Sequence, residues 1–296
     1  MGYKAKVIAD SINGTRITTL EISFPRIVLA EFNTHRVFSR NSASSRAIPI
    51  EKMLERVMND PFIPDRWPIN RPGMQATEYL AEGSAVVEAR IDWLHARNEA
   101  VNSVYRLQRH GVHKQITNRL LEPWLWHTVV VTSTEWENFF NQRRDKDAQP
   151  EIQKIANLMF AAYEASTPTQ LADGAWHLPY VTAEDFEAQA AHALTPDWDI
   201  LARLACARCA RVSYARQGEA RDFAEDLATT ARLLANGHTS PLEHAATPRT
   251  TPGPGALIDA ATQSVWFGNF RGWQSYRKTL PDEAVFRKGL GPRMSA

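Results

Sequence analysis

Residues 4–36 read KAKVIADSINGTRITTLEISFPRIVLAEFNTHR, and this stretch decides the fold class. KAKVIA and TRITTLEISF alternate as strands do, and Asn13-Gly14 between them is a hairpin signal. Pro25 stops the second strand and suits the first turn of a helix, where its missing N–H costs nothing. Residues 26–36 are predicted to be that helix, with Ile27, Val28, Ala30, Glu31 and Thr34 around it. Two strands running straight into a helix argue for an α+β chain.

The rest of the chain extends that reading. A polar stretch, SRNSASSRAIP, follows at 39–49, and prolines 61, 64, 68 and 72 with Gly73 mark residues 60–74 as a loop. From Ala76 to about His110 the pattern is helical, as two helices broken near Gly83. HTVVVT at 127–132 is β-branched and predicts a short buried strand. Residues 133–165 are helical, with Phe139, Phe140, Ile152, Ile155, Leu158 and Met159 on the apolar positions. A loop at 166–181 is the best internal boundary. Helices follow near 183–193, 198–213 and 219–236, and prolines 248, 252 and 254 with Gly255 make 245–262 a loop. The expected fold is α+β, a mixed sheet with long helices and more helix than strand.

Of the 296 residues, 44% are hydrophobic and 23% charged, which is globular usage and excludes disorder, collagen and a coiled coil. Lys and Arg total 34 against 33 acidic residues, so a bulk electrostatic grip on nucleic acid or an anionic membrane is not expected. The N-terminus lacks the apolar core of a signal peptide, Lys6 breaks the myristoylation pattern, and no apolar run approaches a membrane span. A cytoplasmic protein is expected. Cys206 and Cys209, in CARC, are two small apolar residues on one helical face rather than half of a metal site.

Four segments carry polar chemistry. HRVFSRNSASSR (35–46) holds Arg36, Arg40 and Arg46, four serines, His35 and Asn41, and no acid. It is either an anion cradle, since arginine forks bind phosphate bidentately, or a solvated loop whose arginines pair elsewhere. In NGHTSPLEH (236–244), Gly237 ends a helix, and Ser240, Pro241 and Glu243 read as N-cap, N1 and N3 of another. FFNQRRDKDAQPEI (139–152) ends an apolar helix in Arg143 and Arg144, the plain reading being surface ion pairs. WFGNFRGWQSYRK (266–278) sets aromatics beside Arg271, Arg277 and Lys278, to stack a flat ring or to pack as a helix with basic edges. His110 and His113 read as helix-terminal residues, no metal site is expected, and no P-loop, G-x-G-x-x-G or G-x-S-x-G is present.

Together these blocks resemble the flavin-dependent thymidylate synthases, whose arginine loop has the form R-H-R-x-x-S-x-N-E-x-S-x-R-Y. THRVFSRNSASSRA keeps His35, Arg36, Ser39, Asn41, Ser44 and Arg46 at the matching spacings and departs at Thr34, Ser42 and Ala47. NFFNQRRDKDAQPEI is similar to the helix ending in the family's uracil-contacting arginine, which maps to Arg143, with Asn138 at a flavin-contacting position. TNRLLEP (117–123) is similar to a nucleotide-contacting helix and gives Arg119. ARVSYA (210–215) and LLANGHTSPLEH (233–244) resemble the block that opens the family, mapping Ser213, His238, Ser240 and Glu243 to the flavin side. Here that block comes after the arginine loop, so the order resembles a circular permutation, of the kind expected in a divergent, phage-like branch.

The resemblance implies reductive methylation of dUMP to dTMP, with FAD as cofactor and methylenetetrahydrofolate and NADPH as cosubstrates. It makes Arg143 catalytic, places Glu31, Ser44, Arg46 and Arg119 on the substrate, and places His35, Arg36, Asn41, Asn138, Ser213, His238, Ser240 and Glu243 on the flavin. It implies a homo-oligomer, a tetramer in the family, with sites shared between subunits. By the same reading residues 1–165 are the arginine-loop and uracil-site half, 166–200 a connecting segment, and 201–296 the flavin-side block with a C-terminal extension, intertwined as one catalytic domain. Hydroxymethylation of a pyrimidine nucleotide and non-catalytic nucleotide or nucleic-acid binding remain as alternatives.

Overall fold

The computed structural model describes residues 2–73, 75–190, 195–216, 218–220, 222–281 and 283. Strands β1 (Lys4–Asn13) and β2 (Thr15–Pro25) form the expected antiparallel hairpin, turning at Gly14, whose φ of 67° is free of steric cost in glycine. The helix after Pro25 is shorter than its pattern predicts. A 3₁₀ turn over Arg26–Val28 leads into α1 (Leu29–Asn33), so His35 and Arg36 lie beyond it. The polar stretch that follows is not all loop, because Ser39–Ser42 is a strand, β3.

Helix α2 (Ile50–Asn59) comes next, and α3 (Ser84–Arg109) is one continuous helix where two were expected, with residues before Gly83 irregular. After α4 (Lys114–Thr117) and a 3₁₀ segment at Asn118–Trp124 come β4 (Trp126–Ser133), α5 (Glu137–Arg143) and α6 (Pro150–Ala165). A two-residue strand, β5 (Thr169–Gln170), lies in the 166–181 loop. Then come α7 (Ala183–Ala190), whose expected end at 193 lies outside the described residues, α8 (Trp198–Ala210) with a 3₁₀ turn at Arg211–Tyr214, and α9 (Phe223–Ala235).

The C-terminal part departs from expectation. It forms β6 (Ala246–Pro248), β7 (Ala256–Ile258), β8 (Val265–Phe267), β9 (Phe270–Arg271), β10 (Trp273–Ser275) and α10 (Tyr276–Thr279). These strands make two small sheets, β10–β6 and β7–β8–β9. Strands of two or three residues are too short to show a period in sequence.

The main sheet runs β3-β4-β2-β1-β5, antiparallel except for the parallel β1–β5 edge. It is the mixed sheet the sequence implied. Alternation gives it two faces. On one, Leu20, Ile22 and Phe24 with Val129 and Val131 pack against Phe139 and Phe140 of α5 and Ile152, Ile155 and Met159 of α6. On the other, Val130 meets Cys209 and Val212 at the end of α8. Both thiols are fully buried and burial pushes them upward, so CARC is packing, as read.

Of two buried polar systems, one binds the helices of the second half together and the other joins that half to the sheet. Asp185 accepts from both Arg208 Nη atoms, at 2.5 and 2.6 Å, and Asp226 accepts from Arg208 Nε and Arg211 Nη2, each at 2.8 Å. These bonds tie α7, α8 and α9 together, and each charge is paired, as burial requires. A neutral chain runs from Ser11 Oγ to His177 (2.9 Å), Thr19 (2.8 Å), Thr132 (2.7 Å) and His244 Nδ1 (2.8 Å). Burial lowers the pKa of His177 and His244 to about 3, so both imidazoles are neutral.

Candidate active site

The alternation of β3 divides the polar stretch. Asn41 shares a row with Val130 and Glu21, and Ser39 with Thr132 and Thr19, on the face that α8 covers. Arg40 shares the row of Val131 and Leu20, on the face of α5 and α6.

On the α8 side lies a cavity of about 800 Å³. Asn41, Ser44 and Arg46 line it from the arginine loop, Ser213 and Tyr214 from the turn after α8, and His238 and Ser240 from the turn after α9. The contacts that close it are specific. Asn41 Nδ2 donates to Cys209 O at 2.9 Å, Ser44 N to Ser213 O at 3.1 Å, and Ser240 Oγ to Arg40 O at 3.0 Å across 200 positions of sequence. The turn at 236–240 is set by a Schellman motif. Gly237 N donates to Leu234 O and His238 N to Leu233 O, with Gly237 at φ 67°. This holds exposed His238 at the cavity wall.

The capping box expected at Ser240 and Glu243 does not form. Residues Ser240–Glu243 make a 3₁₀ turn, the Ser240 hydroxyl is used on β3, and Glu243 instead accepts from Arg277 Nη1 at 2.5 Å. A helix-start pattern was overridden here by long-range partners.

A second group sits on the other face. Arg143 Nε donates to His35 Nε2 at 2.9 Å, and its Nη2 to Thr34 Oγ1 at 3.0 Å and Glu31 O at 3.4 Å. An accepting Nε2 puts the His35 proton on Nδ1. Burial, with the charges of Arg143 and Arg40, lowers the His35 pKa to about 4 and keeps it neutral. Phe139 meets the imidazole edge-on at 4.9 Å. The Glu31 Oε2 atom is buried with no hydrogen-bond partner among the described residues. Asn138 is exposed on α5, and Arg36 is exposed after α1. Arg144 is not the ion-pair partner the plain reading expects: it lies over the Phe160 ring at 3.6 Å and donates to Asn157 at 3.1 Å.

The structure thus gathers Asn41, Ser44, Arg46, Ser213, His238 and Ser240 at the cavity, and Glu31, His35 and Arg143 at a separate patch. Arg119 lines neither; it is bound to Glu122 at 2.8 Å, a carboxylate that also accepts from Ser45 and Arg26. His110 and His113 are helix-terminal as read, at the end of α3 and the start of α4. Yet His113 and Lys114 also line the cavity, Lys114 Nζ donating to Ala47 O at 2.8 Å. These two, Tyr214 and Arg277 are cavity residues that the sequence reading did not assign. Arg277 carried a signal in the aromatic–basic segment, His113 as a helix-terminal histidine and Tyr214 within ARVSYA, whereas Lys114 carried none. Among the described residues no cluster of His, Cys, Asp or Glu could hold a metal ion, and no helix is long and apolar enough to cross a membrane.

A mixed sheet with helices on both faces and a cavity lined by cations and hydroxyls define an α+β protein with a basic pocket on the α8 side. The family profile described as "Thymidylate synthase complementing protein" matches residues 13–169, more than half of the chain, and the chain belongs to that family. It is accordingly a thymidylate synthase-like enzyme of the methyltransferase kind. None of the curated proteins compared with it matches. Among solved structures, Thymidylate Synthase X (ThyX) from Helicobacter pylori with FAD and dUMP is similar at 17% identity over 50% of this chain and 67% of that one, with a TM-score of 0.36. The UMP/dUMP methylase PolB from Streptomyces cacaoi bound with 5-Br dUMP is 17% identical over 50% and 66%, with a TM-score of 0.40. The same methylase bound with 5-Br UMP is 14% identical over 55% and 88%, with a TM-score of 0.44. This chain spans about two thirds of the length of the first two. Likenesses this weak add nothing to the assignment, which rests on the family profile.

Proposed function

We propose that the chain catalyses the reductive methylation of dUMP to dTMP, with FAD as cofactor and methylenetetrahydrofolate and NADPH as cosubstrates. The observation that carries this reading is the meeting of two motif blocks far apart in sequence, joined by Ser240 to Arg40 and by Asn41 to Cys209, around one cavity. The donor set suits a flavin dinucleotide and a nucleotide: cations Arg46, Lys114 and Arg277 for phosphates, hydroxyls and His238 for sugar and ring edges, and Leu233 and Pro241 as apolar wall. Bound reduced flavin supplies the hydride and the folate supplies the carbon.

The residues of the chain bind, orient and stabilise charge. Arg46, with Lys114 beside it, holds the nucleotide phosphate. Asn41, Ser213, His238 and Ser240 hold the flavin. Arg143, aimed by neutral His35 and Thr34, stabilises negative charge developing on the pyrimidine ring. Because the Arg143 patch does not line the cavity of its own chain, the patch of one copy completes the cavity of another in a homo-oligomer. The motif order is permuted. In support, the family profile covers 13–169 and leaves the 201–244 block unmatched, while that block packs on the arginine loop.

The test is an ultraviolet–visible titration with FAD, followed by dUMP turnover with methylenetetrahydrofolate and NADPH and product mass. A flavin spectrum and dTMP are expected. A chain that takes up no FAD would sink the reading, and a hydroxymethylated product would move it to the neighbouring reaction, to which Ser42 and Ala47 in place of the family's Glu and Tyr point.

A further inference from the structure

The aromatic–basic segment at 266–278 has no part in the site blocks above and lies outside the residues the family profile matches. It nevertheless brings one cation to the cavity wall, Arg277 in α10. Its backbone position is fixed on both sides. Trp273 Nε1 donates to Thr15 O at 3.0 Å, Tyr276 N to Ala245 O at 2.8 Å, and Tyr276 Oη to Asp199 Oδ1 at 2.8 Å. Its guanidinium is also oriented, with Nη1 on Glu243 Oε1 and Nε on Glu283 Oε2, each at 2.5 Å. Nη2 has no hydrogen-bond partner among the described residues. A guanidinium carries five N–H donors in a rigid fork, so two carboxylate contacts leave donors to spare. Glu283 also pairs with Lys278.

We propose that Arg277 is a binding residue that holds the diphosphate of the flavin dinucleotide, and that Glu283 is the counter-ion that limits its grip. This rests on the reading that the cavity takes FAD. The neighbouring His238 and Ser240 line the same cavity, so Arg277 stands on its flavin side. Locally, Arg277 pairs with Glu243 and Glu283, and Lys278 with Glu283. Removing the Glu283 charge leaves two cations against one acid, which favours an anion.

The experiment is titration of FAD and riboflavin into wild type, Arg277→Ala, Arg277→Lys and Glu283→Gln, with the melting temperature of each recorded. Arg277→Ala should weaken FAD by about tenfold or more, the scale of one charge-assisted contact, and leave riboflavin, which has no phosphate, unchanged. Arg277→Lys should fall between, since it keeps the charge without the fork, and it serves if the alanine variant melts early. Glu283→Gln should bind FAD more tightly than wild type. Equal FAD affinity in wild type and both Arg277 variants overturns the inference while leaving the proposed function standing. If wild type itself takes up no FAD, the proposed function falls, and inorganic pyrophosphate decides the inference by calorimetry: about tenfold weaker binding to Arg277→Ala supports it, and equal or absent binding overturns it.

Discussion

The two ends of the 35–46 stretch both carry arginine and serine and have opposite environments. At the His35–Arg40 end His35 and Ser39 are packed away, while Arg36 stays exposed. His35 is 8% exposed and neutral, wedged between Phe38 and Phe139, with its free nitrogen taken by Arg143. At the Asn41–Arg46 end Asn41, Ser44 and Arg46 face a cavity, and Arg46 is exposed at its edge. A single strand makes the difference. β3 sends alternate residues to opposite faces, so one run of arginines and serines serves two places. A polar motif read as one cradle is, once threaded through a sheet, two half-sites, and the enzyme reading joins them only through a second copy of the chain.

The largest expected effect tests that division. Arg143→Ala should lower dTMP formation by ~10²–10³, the usual cost of one preorganised donor, while FAD and dUMP still bind the cavity. Arg143→Lys should also fall well below wild type, since it loses the fork that reaches His35 and Thr34 together. Arg144→Ala, which removes only the contacts with Phe160 and Asn157, should turn over like wild type. Mixing dissociated Arg143→Ala and Arg46→Ala chains sharpens the comparison. If the half-sites meet across copies, mixed oligomers contain some intact sites, and activity at low dUMP rises above the mean of the two variants assayed alone. If it stays at that mean, each chain carries its own complete site and the two environments are one.

The next effect belongs to the open end. Arg46 stands at the cavity edge with Lys114 close behind, bound to Ala47 O. Arg46→Ala should weaken dUMP by about tenfold or more in calorimetry and leave FAD affinity unchanged, since one charge-assisted phosphate contact is worth roughly 1.5–3 kcal/mol. Unchanged dUMP affinity would move the phosphate away from this edge.

How much of this was legible in sequence follows from range. The hairpin, β4 and the helices at 198–213 and 219–236 show in local patterning, because each buries a periodic apolar face. β3 does not, since Ser39-Arg40-Asn41-Ser42 has no apolar residue to alternate, although Ser39 and Asn41 are the buried pair. The joining of the arginine loop to the 238–243 block was legible only through motif resemblance. Lys114 and Arg277 were not placed by either route. They arrive at the cavity through α4 and α10, one-turn elements positioned by contacts such as Lys114 on Ala47 and Tyr276 on Ala245.

Acid separates the two ends by a smaller amount. His35 titrates near 4 when folded and near 6.5 when unfolded, so below pH 6.5 the unfolded chain takes up a proton that the folded one refuses. Stability is therefore full above about pH 6.5 and is lost as pH falls toward 4, by about 1–2 kcal/mol from this residue between pH 7 and 5. His127, His177 and His244, each held near 3 by burial, act in the same direction. His35→Gln, whose side-chain oxygen can still accept from Arg143, should lose less of its urea midpoint on going from pH 7 to pH 5. An identical loss would mean that the packed end does not exclude protons as its geometry demands.

The smallest expected effect tests the joint between the ends. Ser240 is exposed at the cavity and also donates to Arg40 O, the backbone of the residue that divides the two environments. As a joint, it contributes the net value of one neutral hydrogen bond, about 1 kcal/mol. As a ligand contact, it contributes to flavin affinity instead. Ser240→Ala separates the two, because it removes the hydroxyl and leaves the 3₁₀ turn, whose Pro241 and Leu242 are buried independently of it. We expect both readouts to move, with the denaturant midpoint reduced by the equivalent of about 1 kcal/mol and FAD weakened severalfold. A fall in midpoint with unchanged FAD affinity would leave Ser240 a clamp between two blocks and remove it from the flavin. A fall in affinity alone would mean that the Arg40 contact holds nothing, and that the arginine loop keeps its place through Asn41 and Ser44 on the turn after α8.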